Sequence, residues 1–93
     1  MMIDVQINDI AYVEALVDTE NTCNITISEE TARKLRLPTQ KLVRPRRAQG
    51  VSQDMNEMIT HISWSKIDVG GYQAQKAYMY VIPKQRKPMI LGL

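Results

Sequence analysis

Apolar and polar positions alternate from the first residues of the chain. Ile3, Val5 and Ile7 are apolar and are separated by Asp4 and Gln6, which predicts a strand over Met2–Ile7 with one buried face. Asn8-Asp9 is a turn signal, and Ala11–Val17 reads as a second strand that ends in the apolar run Ala15-Leu16-Val17. The two strands make a hairpin. Asp18–Asn24 is short and polar and reads as a loop, after which Asn24–Ile27 returns to β-branched residues. Ser28 stands where a helix N-cap is wanted, followed by Glu29 and Glu30, whose carboxylates suit the positive end of a helix dipole. Ala32 and Leu35, with Thr31, share one face at helical spacing. Arg33, Lys34 and Arg36 place positive charge toward the C-terminal end, and the helix is expected to run to Leu37, where Pro38 stops it.

The second half of the chain is β throughout. Lys41–Gln49 reads as a basic strand that contains Pro45, hence an edge strand or an irregular one. Gly50–Asn56 is a polar turn. Glu57–Val69 is a long strand, with Met58, Thr60, Ile62 and Trp64 on one face and Ile59, His61, Ser63, Ser65 and Ile67 on the other. Gly70-Gly71 is a hairpin signal, and Tyr72–Ile82 is the return strand. A basic loop over Pro83–Pro88 leads to the apolar strand Met89-Ile90-Leu91, followed by Gly92. The pattern predicts an all-β domain with one short helix, spanning residues 1–93 without repeats or a second domain.

Composition narrows this picture only slightly. A 93-residue chain fits one small domain, and domains of this size bury a modest share of their surface, so a dimer interface would add stability. Phe is absent, and the six methionines are expected to fill core gaps. The net charge of +2 does not by itself imply a polyanionic partner. Two basic clusters, Arg44/Arg46/Arg47 and Lys84/Arg86/Lys87, read as solvated surface. No aromatic residue is interleaved with either, so nucleic acid is not expected as a partner. Cys23 is the single cysteine, which rules out an internal disulfide and a cysteine-only zinc site and suits an intracellular, cytoplasmic setting. No signal-peptide pattern or membrane-length apolar run is seen, and neither a metal nor a cofactor is expected. His61 on a strand face and Trp64 read as hydrogen-bonded and packing residues.

The stretch that can carry chemistry is Ala15-Leu16-Val17-Asp18-Thr19-Glu20. A carboxylate directly after a buried apolar strand sits at the lip of the core, where it serves as a general base or as an ordinary surface or turn residue. Two such aspartates brought together across a two-fold axis would share one proton, so that one activates water while the other protonates substrate. A chain with a single motif of this kind must dimerise to make the pair.

The order of these pieces resembles the retropepsin family. An apolar strand leads to Asp18-Thr19. A small polar loop through Thr22-Cys23-Asn24 leads to Ile27-Ser28-Glu29-Glu30, and a helix follows to Leu37-Pro38. Leu37–Leu42 with Pro45, then Ile59-Thr60-His61, are similar to the segments before and after the flap in that family. Met89-Ile90-Leu91-Gly92 is similar to its second apolar-apolar-Gly signature. The chain most resembles the protease domains of Ty3/gypsy-type retrotransposons, especially fungal ones.

The resemblance implies a retropepsin-like half-barrel of the acid protease fold. It implies Asp18 as the catalytic aspartate, Thr19 as the brace between the loops of two subunits, and Ile90, Leu91 and Gly92 as support for the Asp18 loop. It implies a flap at Gly50, Val51, Ser52, Gln53 and Asp54. A homodimer acting on a peptide or polyprotein substrate is expected, with no membrane involved. The family continues past its apolar-apolar-Gly signature into a short helix, so the chain is expected to be cut short at its C-terminal end.

Three features depart from the family pattern. Glu20 stands where the family has the glycine of Asp-Thr/Ser-Gly, adding a side chain and a charge where the backbone must turn tightly. Ser52-Gln53 replaces the frequent Asp-Gly of the flap, and Asn21–Ile27 is one residue longer than the usual spacing. Two functions are therefore expected as alternatives. One is an aspartic endopeptidase domain of a retroelement polyprotein, with activity impaired by Glu20. The other is a pseudo-protease that dimerises or binds partners without cleaving.

Overall fold

The computed structural model describes residues 1–18, 25–47 and 58–92. Its strands are β1 (Met2–Ile7), β2 (Ala11–Asp18), β3 (Ile25–Ser28), β4 (Thr39–Arg47), β5 (Met58–Val69), β6 (Tyr72–Ile82) and β7 (Met89–Gly92), and its helix is α1 (Glu29–Lys34). The predicted all-β character with one short helix is observed. The strands lie in the order β1-β2-β7-β3-β6-β5-β4, and β1 also pairs with β5, which curls the sheet toward a barrel.

β1 and β2 form the expected hairpin, in register from Ile7↔Ala11 to Met2↔Leu16. Its turn places Asn8 and Asp9 at φ of 52° and 62°, a left-handed conformation in which these two residue types are enriched. The register of β5 against β6 shifts between Ser65 and Ile67. The Lys66 backbone instead meets the first turn: Asn8 N–H donates to the Lys66 carbonyl at 2.9 Å, and Lys66 N–H donates to Asn8 Oδ1 at 2.9 Å. The β5–β6 turn is Gly70-Gly71, at φ of +59° and +93°, as a two-residue hairpin with both central residues left-handed requires.

Alternation sorts the side chains as the sequence pattern predicts. Val5, Ile7, Val13, Ala15, Ile27, Ile67, Met79, Val81 and Met89 form the principal core with Ala32 and Leu37. Of the methionines expected to fill the core, Met79 and Met89 do so, at 1% and 0% exposure, whereas Met1 and Met58 are exposed. Ser63 is fully buried on the same face and donates to the Pro38 carbonyl at 2.7 Å, which fixes the chain as it enters β4.

Ser28 caps α1 by accepting from Thr31 N–H at 3.1 Å, as expected. The helix ends at Lys34, however, and does not run on to Leu37. Leu37 N–H donates to the Ala32 carbonyl and Arg36 N–H to the Arg33 carbonyl, with Arg36 at φ 54°. These bonds make a Schellman motif whose left-handed position, usually glycine, is arginine. Pro38 follows the stop and does not cause it. β4 begins at Thr39, two residues before the expected strand, and its register against β5 shifts between Lys41 and Arg46. Pro45 lies in that irregular stretch of an edge strand, where a missing N–H is tolerated.

Candidate active site

Asp18 is the last residue of β2 and is half-buried. Beneath it the sheet is solid, since Ala15, Ile27, Met89 and Ile90 are each at most 1% exposed. The decisive pairing is with β7, which is inserted between β2 and β3. β7 runs parallel to β2, pairing Leu16↔Ile90, Val17↔Leu91 and Asp18↔Gly92. It runs antiparallel to β3, pairing Ile25↔Leu91 and Thr26↔Ile90. The chain therefore leaves the sheet at Asp18 on one side of Leu91-Gly92 and returns at Ile25 on the other. The bond from Val17 N–H to the Met1 carbonyl, at 2.8 Å, holds β2 from its other edge up to the residue before Asp18.

Of the residues expected at the site, the structure thus brings Ile90, Leu91 and Gly92 beside Asp18. Thr19, Glu20 and Cys23 lie outside the described residues, as do Gly50, Val51, Ser52, Gln53 and Asp54. Residues 48–57 connect β4 to β5, whose outermost pair is Arg47↔Met58. Among the described residues, no three His, Cys, Asp or Glu side chains gather as a metal site. His61 Nδ1 lies 2.8 Å from Thr60 Oγ1.

Two supporting residues escaped the sequence reading. Thr26, on β3, is 4% exposed, and its hydroxyl donates to Gln85 Oε1 at 2.7 Å. Gln85 Nε2 donates to the Lys87 carbonyl at 2.9 Å. Gln85 is 7% exposed although it sits in the loop read as basic surface. It ties that loop to β3 one residue from Ile25. Its neighbours Lys84, Arg86 and Lys87 are exposed, and nothing in the local sequence marks Gln85 as the member that turns inward.

A family model described as "gag-polyprotein putative aspartyl protease" matches residues 3–93. Comparison with curated proteins finds no match. Among solved structures, the retroviral protease-like domain of Ddi1 from Leishmania major superposes with a TM-score of 0.65 at 24% identity, covering 100% of this chain and 69% of that one. The EIAV protease complexed with the inhibitor HBY-793 superposes with a TM-score of 0.66 at 19% identity, covering 99% and 80%. At these identities the likeness is one of fold, and that fold is the retroviral protease half-barrel.

Proposed function

Since the chain belongs to the gag-polyprotein aspartyl protease family, as a retropepsin-like domain, we propose that Asp18 is one half of a peptide-hydrolysing site that a second copy of the chain completes. The observation that carries this reading is the clamp on Leu91-Gly92. It holds the strand end at Asp18 and the strand start at Ile25 on opposite sides of β7, so Asp18 stands at a strand end braced by its neighbour. A catalytic carboxylate needs such a brace, because small misplacements cost large factors in rate.

With two Asp18 side chains facing each other, the ionised one takes a proton from water, and the water oxygen bonds to the scissile carbonyl carbon. The protonated one gives its proton to the carbonyl oxygen, forming a neutral gem-diol. The C–N bond then breaks as the nitrogen takes the proton from the first carboxyl group. A gem-diol hydroxyl returns its proton to the second, leaving a carboxylic acid and an amine. The substrate is an extended segment of a polyprotein, and the parent is a retroelement of the Ty3/gypsy type. These assignments rest on the order of motifs from Asp18 to Gly92.

Glu20 favours a second reading, a pseudo-protease that dimerises without cleaving. Its bulk replaces the glycine that lets backbone approach substrate in the family pattern. Peptide cleavage by the wild type, Asp18→Asn and Glu20→Gly chains, with sedimentation at each, separates the two. Cleavage by wild type that falls at least about a thousandfold in Asp18→Asn supports the peptidase. Cleavage only in Glu20→Gly supports the pseudo-protease, and equal cleavage by wild type and Asp18→Asn removes the aspartic mechanism.

A further inference from the structure

Charge is segregated across the sheet in a way that the net value of +2 conceals. β1 and β2 carry Asp4, Glu14 and Asp18 and no lysine or arginine. β4, β5 and β6 carry Lys41, Arg44, Arg46, Arg47, Lys66 and Lys76 against Asp68 alone. On the sequence, Lys41, Arg44, Arg46 and Arg47 stand apart from any aromatic residue, whereas Lys66 and Lys76 are each two positions from one, Trp64 and Tyr78. In the fold they are interleaved. The β5–β6 register pairs Trp64 with Tyr78 and Ile62 with Tyr80, which puts all four side chains on one face. It is the face turned away from the principal core. Arg46 comes across from β4 to hydrogen-bond the Tyr80 hydroxyl, with its guanidinium carbon 5.5 Å from the Tyr80 ring centre. Lys76 Nζ lies 5.6 Å from the Trp64 ring centre and 5.5 Å from that of Tyr78. The Trp64 and Tyr78 rings are 6.3 Å apart and tilted by 53°. Tyr78 is 57% exposed, while Trp64 and Tyr80 are half-buried. Beside them a cavity of about 350 Å³ opens between Ile25, Leu42, Arg46, Ile62, Tyr78 and Tyr80.

We propose that this β4–β5–β6 face binds single-stranded nucleic acid, with bases stacking on Tyr78, Trp64 and Tyr80 and phosphates held by Arg46 and Lys76. The two components of a sequence-tolerant single-strand surface are both present: aromatic rings, of which Tyr78 is exposed and Trp64 and Tyr80 are half-buried, and cations lying over them. The absence of carboxylates from the strands around those rings, Asp68 at the far hairpin excepted, leaves the field there positive. An acidic polypeptide would use the cations but would leave the flat ring faces without a matching surface, so the nucleic acid accounts for more of what is present. The residues of the proposed surface, Arg46, Trp64, Lys76, Tyr78 and Tyr80, all come from β4, β5 and β6 of one chain.

Trp64 is the only tryptophan, so its fluorescence reports on this face alone. The experiment titrates the full chain with labelled 12-nucleotide oligo-U and oligo-dT, reading Trp64 emission and label anisotropy between about 20 and 200 mM salt. Binding is expected to quench Trp64 and to weaken with salt. Lys76→Gln lowers the magnitude of the log–log salt slope by roughly 0.7, the share of one neutralised phosphate on a single strand. Tyr78→Ala weakens binding about tenfold. Because Tyr78 is exposed, that variant keeps its fold, which an unchanged melting temperature verifies. Three results overturn the proposal: no anisotropy change at about 100 µM protein and low salt; binding that neither quenches Trp64 nor responds to Tyr78→Ala; or poly-glutamate quenching Trp64 with affinity equal to that of the oligonucleotides.

Discussion

Replacing Gln85 by alanine tests whether the base of the candidate site is held by a buried polar contact remote in sequence. Gln85 and Thr26 are 59 positions apart and meet in a 2.7 Å hydrogen bond, with Thr26 at 4% exposure. In Gln85→Ala the Thr26 hydroxyl stays buried without its acceptor, which costs about 1–3 kcal/mol. The Lys87 carbonyl also loses a donor, but Lys87 is exposed and water takes that place at little cost. A loss of about 2 kcal/mol follows, which for a domain of this length lowers Tm by about 10 °C. Thr26→Val strands the Gln85 oxygen instead and costs a similar amount. The double variant Thr26→Val/Gln85→Met removes both polar groups at nearly constant volume and is expected within about 1 kcal/mol of wild type. With Gln85→Met as the matching single variant, also expected to cost about 2 kcal/mol, the cycle gives a coupling of about 3 kcal/mol between residues distant in sequence. Urea and thermal unfolding followed by circular dichroism measure it, at one protein concentration so that self-association does not shift Tm between variants. A Gln85→Ala loss below about 0.5 kcal/mol, or single losses that simply add in the double variant, would refute the reasoning.

The remaining expectations concern the helix stop and the core. Arg36→Gly removes a side chain from a left-handed position and is expected to raise stability by about 0.5–1 kcal/mol, seen as a higher urea midpoint; a fall would mean that the Arg36 side chain stabilises more than its backbone strain costs. Met79→Ala, at a position 1% exposed, is expected to cost about 2–5 kcal/mol, a large share of the stability of any small domain, and chemical unfolding that shows no change would place Met79 outside the packed core.

Local pattern carried much of the architecture. The period-two alternation in 2–17 and 58–82 placed the strands and the buried faces, because each strand side chain faces either the core or its opposite. Ser28 and Gly70-Gly71 marked the helix start and the hairpin, because those conformations suit few residue types. Asp18 was legible as a carboxylate at the end of an apolar strand. The helix end was not, since an arginine in a left-handed Schellman position has no signature in composition. Nor was Gln85, whose inward turn depends on a hydroxyl from another strand.

By itself, then, the sequence determined which segments are strands, which face each presents inward, and where one carboxylate leaves the sheet. The family resemblance pointed to Ile90, Leu91 and Gly92 as support for the Asp18 loop, and tertiary structure decided how, by placing β7 between β2 and β3 with Leu91 paired to both Val17 and Ile25. It also decided that Arg46 meets Tyr80 and Lys76 meets Trp64. The physical reason is the same in each case. Alternation and capping are properties of neighbours along the chain, whereas strand order and the meeting of distant side chains are set by which pairings together bury the most apolar surface with every backbone group satisfied.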